Sequence, residues 1–243
     1  MTGALPRLAA LLGALAVAAP APAFELLRLN NDPCARQERN LAWVAGGVPV
    51  NLGLLPEPLR GLADAARQRW NLSLSRFRFG LGGGAACGRD GVAALAVAAT
   101  PCGAAQFGDA LAITRSFWNG SGELLDADVT FNADSFIIDD EAAFLEVAMH
   151  ELGHVLGLDH SNACGGSGAG TLMESRLTPP RLEAPQADDV AGAEAIYPSS
   201  GGDGTVPEGA NACAVTAPRA GSRATWPLLG LLMLVAWRRR RVD

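Results

Sequence analysis

The chain has 243 residues, 49% of them hydrophobic, enough for a full core in one domain plus extras or in two small domains. Its formal net charge is −6, which disfavours a nucleic-acid partner. All 19 basic residues are Arg, and all three histidines fall within eleven residues, His150 to His160.

The chain opens on "MTGALPRLAALLGALAVAAPAPAF": Arg7, an apolar run from Leu8 to Ala19, then "APA" at 21–23. This is the build of a secretory signal peptide, residues 1–23, cleaved after Ala23. The run is too short to span a bilayer comfortably.

Residues 24–199 read as one domain, with twelve Arg against twenty-two Asp and Glu. "LAWVAGGVPVNLGLL" (41–55) suggests a strand pair or a kinked strand. Leu59, Leu62, Ala63, Ala66 and Trp70 then fall at helical spacing after "PEP". "RFRFGL" (76–81), "GVAALAVAAT" (91–100) and "ALAITRSFW" (110–118) are strand candidates. "LLDADVTFN" (124–132) alternates, with Ala127, Val129 and Phe131 facing one way and Asp126, Asp128, Thr130 and Asn132 the other. A helix from about Ala142, capped by Asp139 or Asp140, carries the histidines. "QADDVAGAEAIY" closes the domain as a last helix, with Asp188 and Asp189 complementing its dipole. This order predicts an α+β layer rather than repeated βαβ units.

Beyond the domain, 200–224 is rich in Gly, Ser, Pro and Ala and reads as a flexible linker. Residues 225–243 form a hydrophobic tail: the run from Pro227 to Trp237 would make roughly 16 Å of helix against a membrane core of about 30 Å. Four arginines follow it directly.

Five cysteines in an exported chain suggest disulfides with one left over. Cys213 lies beyond the last folded element, leaving Cys34, Cys87, Cys102 and Cys164. Cys87 and Cys102 flank one apolar run and are the first pair to consider, which would leave Cys34 with Cys164. Four cysteines allow three connectivities, and all three stay open here.

His150 and His154 are four apart, so on a helix both imidazoles reach one point. Two neutral imidazoles at this spacing suit zinc. Glu151, in H-E-x-x-H, is placed to take a proton from a metal-activated water as general base. Gly157 lets the helix stop and the chain turn back, which brings His160 in as a third ligand. Three protein ligands leave a coordination position for water, the mark of a catalytic rather than a structural site.

"HELGHVLGLDHS" resembles the metzincin zinc metalloendopeptidases, and Ser161 after the third His points to the matrixin branch. "TLMES" is similar to the matrixin Met-turn, with Met173 beneath the metal. "ADDVAGAEAIYP" (187–198) resembles the final matrixin helix, which braces the active site. "DADVTFN" is similar to the strand that precedes the active-site helix in bacterial matrixins.

The resemblance covers most of 41–198 and implies a metzincin-like α+β fold. That fold would have a twisted mixed β-sheet packed on two helices, an active-site helix, a Met-turn and a C-terminal helix. It implies one catalytic Zn2+ and a protein or peptide substrate held extended along an edge strand. The enzyme would act as a monomer. The departures are an inserted "NACGGSGAG" between His160 and Met173, no fourth His for a second zinc, and no prodomain "PRCGxPD". Cys34 could cover the zinc as a thiolate, but an exported Cys favours a disulfide. The apolar run closed by arginines resembles the MYXO-CTERM sorting tails of bacterial surface proteins, although only the lone Cys213 stands for their Cys-rich signature. A simple membrane anchor is the alternative. Either way the protein is exported, then secreted or held at the bacterial surface by its tail.

Asp126, Asp128, Asp134, Asp139, Asp140 and Glu141 could bind Ca2+. They match no calcium-loop spacing, so a solvated acidic face is the expectation. Three readings of function remain: a zinc endopeptidase acting on extracellular proteins, a non-catalytic, zinc-stabilised surface module, or a zinc hydrolase of some other bond, which the third His and Met173 disfavour. Glu151 argues against the second, since a structural site has no need of it.

Overall fold

The computed structural model describes residues 24–103 and 106–198. The expected signal peptide, linker and tail, with Cys213, lie outside the described residues.

The elements in chain order are β1 (Glu25–Leu26), β2 (Gly47–Asn51), α1 (Leu59–Ser73), β3 (Arg78–Leu81) and β4 (Ala93–Ala98). Then come β5 (Ala112–Trp118), β6 (Leu124–Asn132), a 3-10 turn (Phe136–Ile138), α2 (Glu141–Leu156), β7 (Leu158–Asp159) and α3 (Ala187–Ile196). The segment 41–55 supplies only the single short strand β2, flanked by a bridge from Ala42 to Glu123.

Five strands form a mixed sheet in the order β3-β2-β4-β6-β5. All neighbours run parallel except β5, which pairs antiparallel with β6 and forms one edge. One βαβ crossover, β2–α1–β3, sits at the other edge; the unit does not repeat, and the fold is α+β as expected. α1 buries Leu59, Ala63, Ala66 and Trp70, the stripe read from its 3.6-residue period, while Leu62 is half-buried.

β6 departs from the expectation of an acidic solvated face. Asp126 and Asp128 are buried on the side of the sheet where the chain before β4 meets Asp126 and Cys102 after β4 meets Thr130. Asp126 Oδ2 accepts the N–H groups of Asp90 and Gly91 at 3.0 and 2.9 Å, and Asp128 Oδ1 that of Ala94 at 2.9 Å. The alternation placed the residues correctly on two faces, but both faces are covered. Asp134, Asp139 and Glu141 are exposed, and Asp140 caps α2 by accepting the Ala143 N–H at 3.0 Å.

α2 is buried on nearly every side. A helix surrounded in this way needs apolar residues all round, which "EAAFLEVAMHELGHVL" largely supplies. Amphipathic aromatics from distant segments fasten its C-terminal half. Trp70 Nε1 donates to Met149 O at 2.8 Å, Trp43 Nε1 to Val155 O at 2.7 Å, and Tyr197 Oη to Leu156 O at 2.9 Å. Directly after it, β7 pairs antiparallel with β1, so the first described residues belong to the domain. Cys34 is bonded to Cys164 and Cys87 to Cys102. Cys34 therefore carries no free thiol to offer a metal.

Candidate metal centre

α2 positions the first two histidines and Gly157 positions the third. Gly157 sits at φ +107, a left-handed cap that an L side chain rarely adopts, and a Cβ there would come within 2.7 Å of Leu41 O. The chain reverses into β7 and delivers His160 beside the other two rings. The ring centroids of His150, His154 and His160 are 4.8 to 5.3 Å apart. One ligand nitrogen from each lies within 4.8 Å of the others.

The tautomers follow from the acceptors. Nδ1 of His150 faces Leu172 O at 2.7 Å, and Nδ1 of His154 faces Leu158 O at 2.9 Å. A carbonyl can only accept, so each Nδ1 carries its proton and each Nε2 keeps its lone pair. His154 Nε2 and His160 Nε2 are buried with no hydrogen-bond partner, an arrangement that costs free energy unless something occupies the lone pairs. Burial, with the neighbouring rings, holds His150 well below the usual imidazole range and pushes His160 down to about 3. His154 is lowered too, by burial. Three neutral nitrogen donors converging in a buried site fit a zinc ion.

Glu151 is 1% exposed and its carboxyl is raised by burial, with His154 and the Thr114 hydroxyl opposing. Thr114 Oγ1 donates to Glu151 Oε2 at 2.6 Å. Met173 is buried below α2; a Cβ on Gly153 would collide with its sulfur and lie 3.1 Å from its Cε. Asp189 holds this turn in place. Its carboxylate accepts the N–H groups of Leu172 at 2.9 Å, Met173 at 3.0 Å and Gln186 at 2.7 Å. Asp189 was expected to complement the α3 dipole. It also closes the capping box of that helix, and it fixes the carbonyl of Leu172 on which His150 rests.

The insertion between His160 and Met173 is accommodated by lacing its two ends. Ser161 N–H donates to Met173 O at 2.9 Å, the Ser161 and Thr171 hydroxyls are 2.7 Å apart, and Asn162 Nδ2 donates to Ser175 Oγ at 2.9 Å. Cys164 then fastens the loop to Cys34. One turn before His150, buried Glu146 lies 3.8 Å from Arg181 and anchors the chain beyond the Met173 turn; burial raises its carboxyl to about 7.

The sequence placed His150, Glu151, His154, His160 and Met173 together, and the structure does so. Thr114 and Asp189 were missed as members of the site. Thr114 carries no local signal, whereas the Gln186 and Asp189 spacing at the start of a helix hints at a capping box.

An α+β domain with a buried three-imidazole cluster, a neighbouring carboxylate and a methionine beneath is the arrangement expected of a metzincin-like metalloprotease. Residues 88–198, from just before β4 to the end of α3, match the family model Peptidase_M10, described as matrixin. The match supports a matrixin-like metalloprotease. No curated protein matches the sequence.

Proposed function

We propose that this protein is a zinc-dependent metalloendopeptidase of extracellular proteins, with His150, His154 and His160 as metal ligands and Glu151 as general base. The observation that carries the reading is the convergence of three imidazole nitrogens beside a buried carboxylate, within a stretch that matches the matrixin model. A zinc ion bound there supplies a Lewis acid for the scissile carbonyl and lowers the pKa of a coordinated water. The protein's own groups do the rest. Leu172 O and Leu158 O orient two of the rings, and Glu151 takes a proton from the attacking water and passes it to the leaving amine. β5, an edge strand packed against α2, offers its unpaired side to an extended peptide by strand addition. Export through residues 1–23, followed by secretion or by retention at the cell surface through the 225–243 tail, belongs to the same proposal.

The test uses the full chain with measured zinc content and an unbiased peptide mixture, against Glu151→Ala. Cleavage that requires both zinc and Glu151 is expected, and a chelator should abolish it. One zinc per chain with no cleavage by either protein would point instead to the non-catalytic, zinc-stabilised module.

A further inference from the structure

Thr114 lies in the middle of β5, the strand at the sheet edge, with its side chain turned towards α2. It is 1% exposed, and the strand period puts Ser116 on the same face while Ile113 and Arg115 point the other way. A strand face packed on a helix ordinarily takes an apolar side chain, because a buried hydroxyl is costly without a partner. Here the hydroxyl has two oxygens within reach, both from Glu151: Oε2 at 2.6 Å and the backbone O at 3.3 Å. It carries a single proton, and the shorter contact, to the carboxylate, takes it. Among the described residues Thr114 is the hydrogen-bond donor found for this buried carboxylate.

We infer that Thr114 is a positioning residue for Glu151: its hydroxyl holds Oε2, sets the rotation of the carboxylate, and leaves Oε1 as the oxygen that exchanges a proton with the reacting groups. Packing restrains the stem of a buried three-torsion side chain, but a directional hydrogen bond fixes the rotation of its end group, and proton transfer demands a fixed one. The same contact links the strand that would carry the peptide to the group that would move the proton. A substrate seated on β5 and the carboxylate of Glu151 on α2 are thus both held relative to the same strand. The Thr114 side chain touches neither metal nor peptide in this scheme; it acts through Glu151. The inference rests on the peptidase reading above.

The experiment compares the full-length wild type with Thr114→Val, which keeps the shape and removes the hydroxyl, and Thr114→Ser, which restores it. Thr114→Val should retain one zinc per chain and a KM within about twofold of wild type, while kcat falls about 10–100-fold. Thr114→Ser should recover most of kcat. A second readout needs no turnover: unfolding midpoints of the zinc-free proteins, with Thr114→Val made in the Glu151 and the Glu151→Ala backgrounds. The midpoint should drop more on losing the hydroxyl when Glu151 is present than when alanine stands there and only the backbone oxygen of residue 151 is left to accept. Wild-type kcat in Thr114→Val, loss of zinc from it, no rescue by Thr114→Ser, or equal midpoint shifts in both backgrounds would each overturn the inference. Of these, wild-type kcat in Thr114→Val leaves the peptidase reading intact. A zinc-loaded wild type that cleaves nothing fails that reading, and the positioning role falls with it.

Discussion

The sulfur of Met173 sits so close under Gly153 that there is no room for a methyl group on the Cα between them. The glycine inside H-E-L-G-H is therefore a packing requirement of the turn below it. Alanine at 153 would gain up to about 1 kcal/mol in helix propensity. Overpacking against the buried Met173 side chain should cost about 1–3 kcal/mol and win, since Trp70 Cζ2, already at contact distance, leaves little space on that side. Gly153→Ala should lower the unfolding midpoint, and adding Met173→Ala should recover part of that loss. An alanine variant as stable as wild type would show that the turn can move aside.

Asp189 should be the most sensitive residue of the last helix. It accepts three backbone N–H groups, two from the turn that carries Leu172 and Met173. Asparagine has one acceptor oxygen, so Asp189→Asn leaves at least one buried N–H unpaired, at about 1–3 kcal/mol. Because His150 rests on Leu172 O, zinc affinity should weaken together with stability. A variant with lower stability and unchanged zinc affinity would separate Asp189 from the metal centre.

The buried acids of β6 predict a pH dependence. Burial, reinforced by neighbouring Asp126, raises the Asp128 carboxyl from 3.8 to about 7 against the pull of the Ala94 N–H. The unfolded chain gives up this proton near 3.8 while the folded chain keeps it to about 7, so the stability it contributes is full below 3.8 and lost as pH climbs to 7. The histidines work in the opposite direction, since their folded values are depressed. The measurement is therefore a difference: urea unfolding of zinc-free Asp128→Asn minus wild type, from pH 4 to 8. The difference should move in favour of the variant as pH rises and level off above 7. A flat difference would mean that Asp128 ionises normally.

The Cys34–Cys164 bond closes a loop of sequence separation 130 and ties the first segment of the domain to the insertion after His160. Replacing both cysteines by serine should cost about 2–5 kcal/mol of stability. Zinc affinity should change far less, because the hydrogen bonds from Ser161 and Asn162 to Thr171, Met173 and Ser175 hold the ends of the loop without it. Comparable losses of stability and of zinc affinity would show that the disulfide positions His160 directly.

Much of the site could be read from residues 150–173, for reasons confined to short stretches of chain. A helical period aligns His150 with His154, and a glycine free to take a positive φ returns the chain so that His160 joins them. The stripe of α1 and the strands β4, β5 and β6 were legible in the same way, from periods of 3.6 and 2. What those periods cannot express is what lies opposite a face. The acids of β6 alternate as a solvated face would, yet Asp126 accepts the N–H groups of Asp90 and Gly91, and Asp128 that of Ala94 on the neighbouring β4. Thr114 and Glu151 are 37 residues apart and meet only because the sheet edge packs on α2. Asp189 reaches the Met173 turn only because α3 docks behind it. Geometry confined to one short stretch of chain brings the three imidazoles into one cluster. The tertiary structure decided how its members are oriented, because hydrogen bonds between distant segments exist only once the layers have packed.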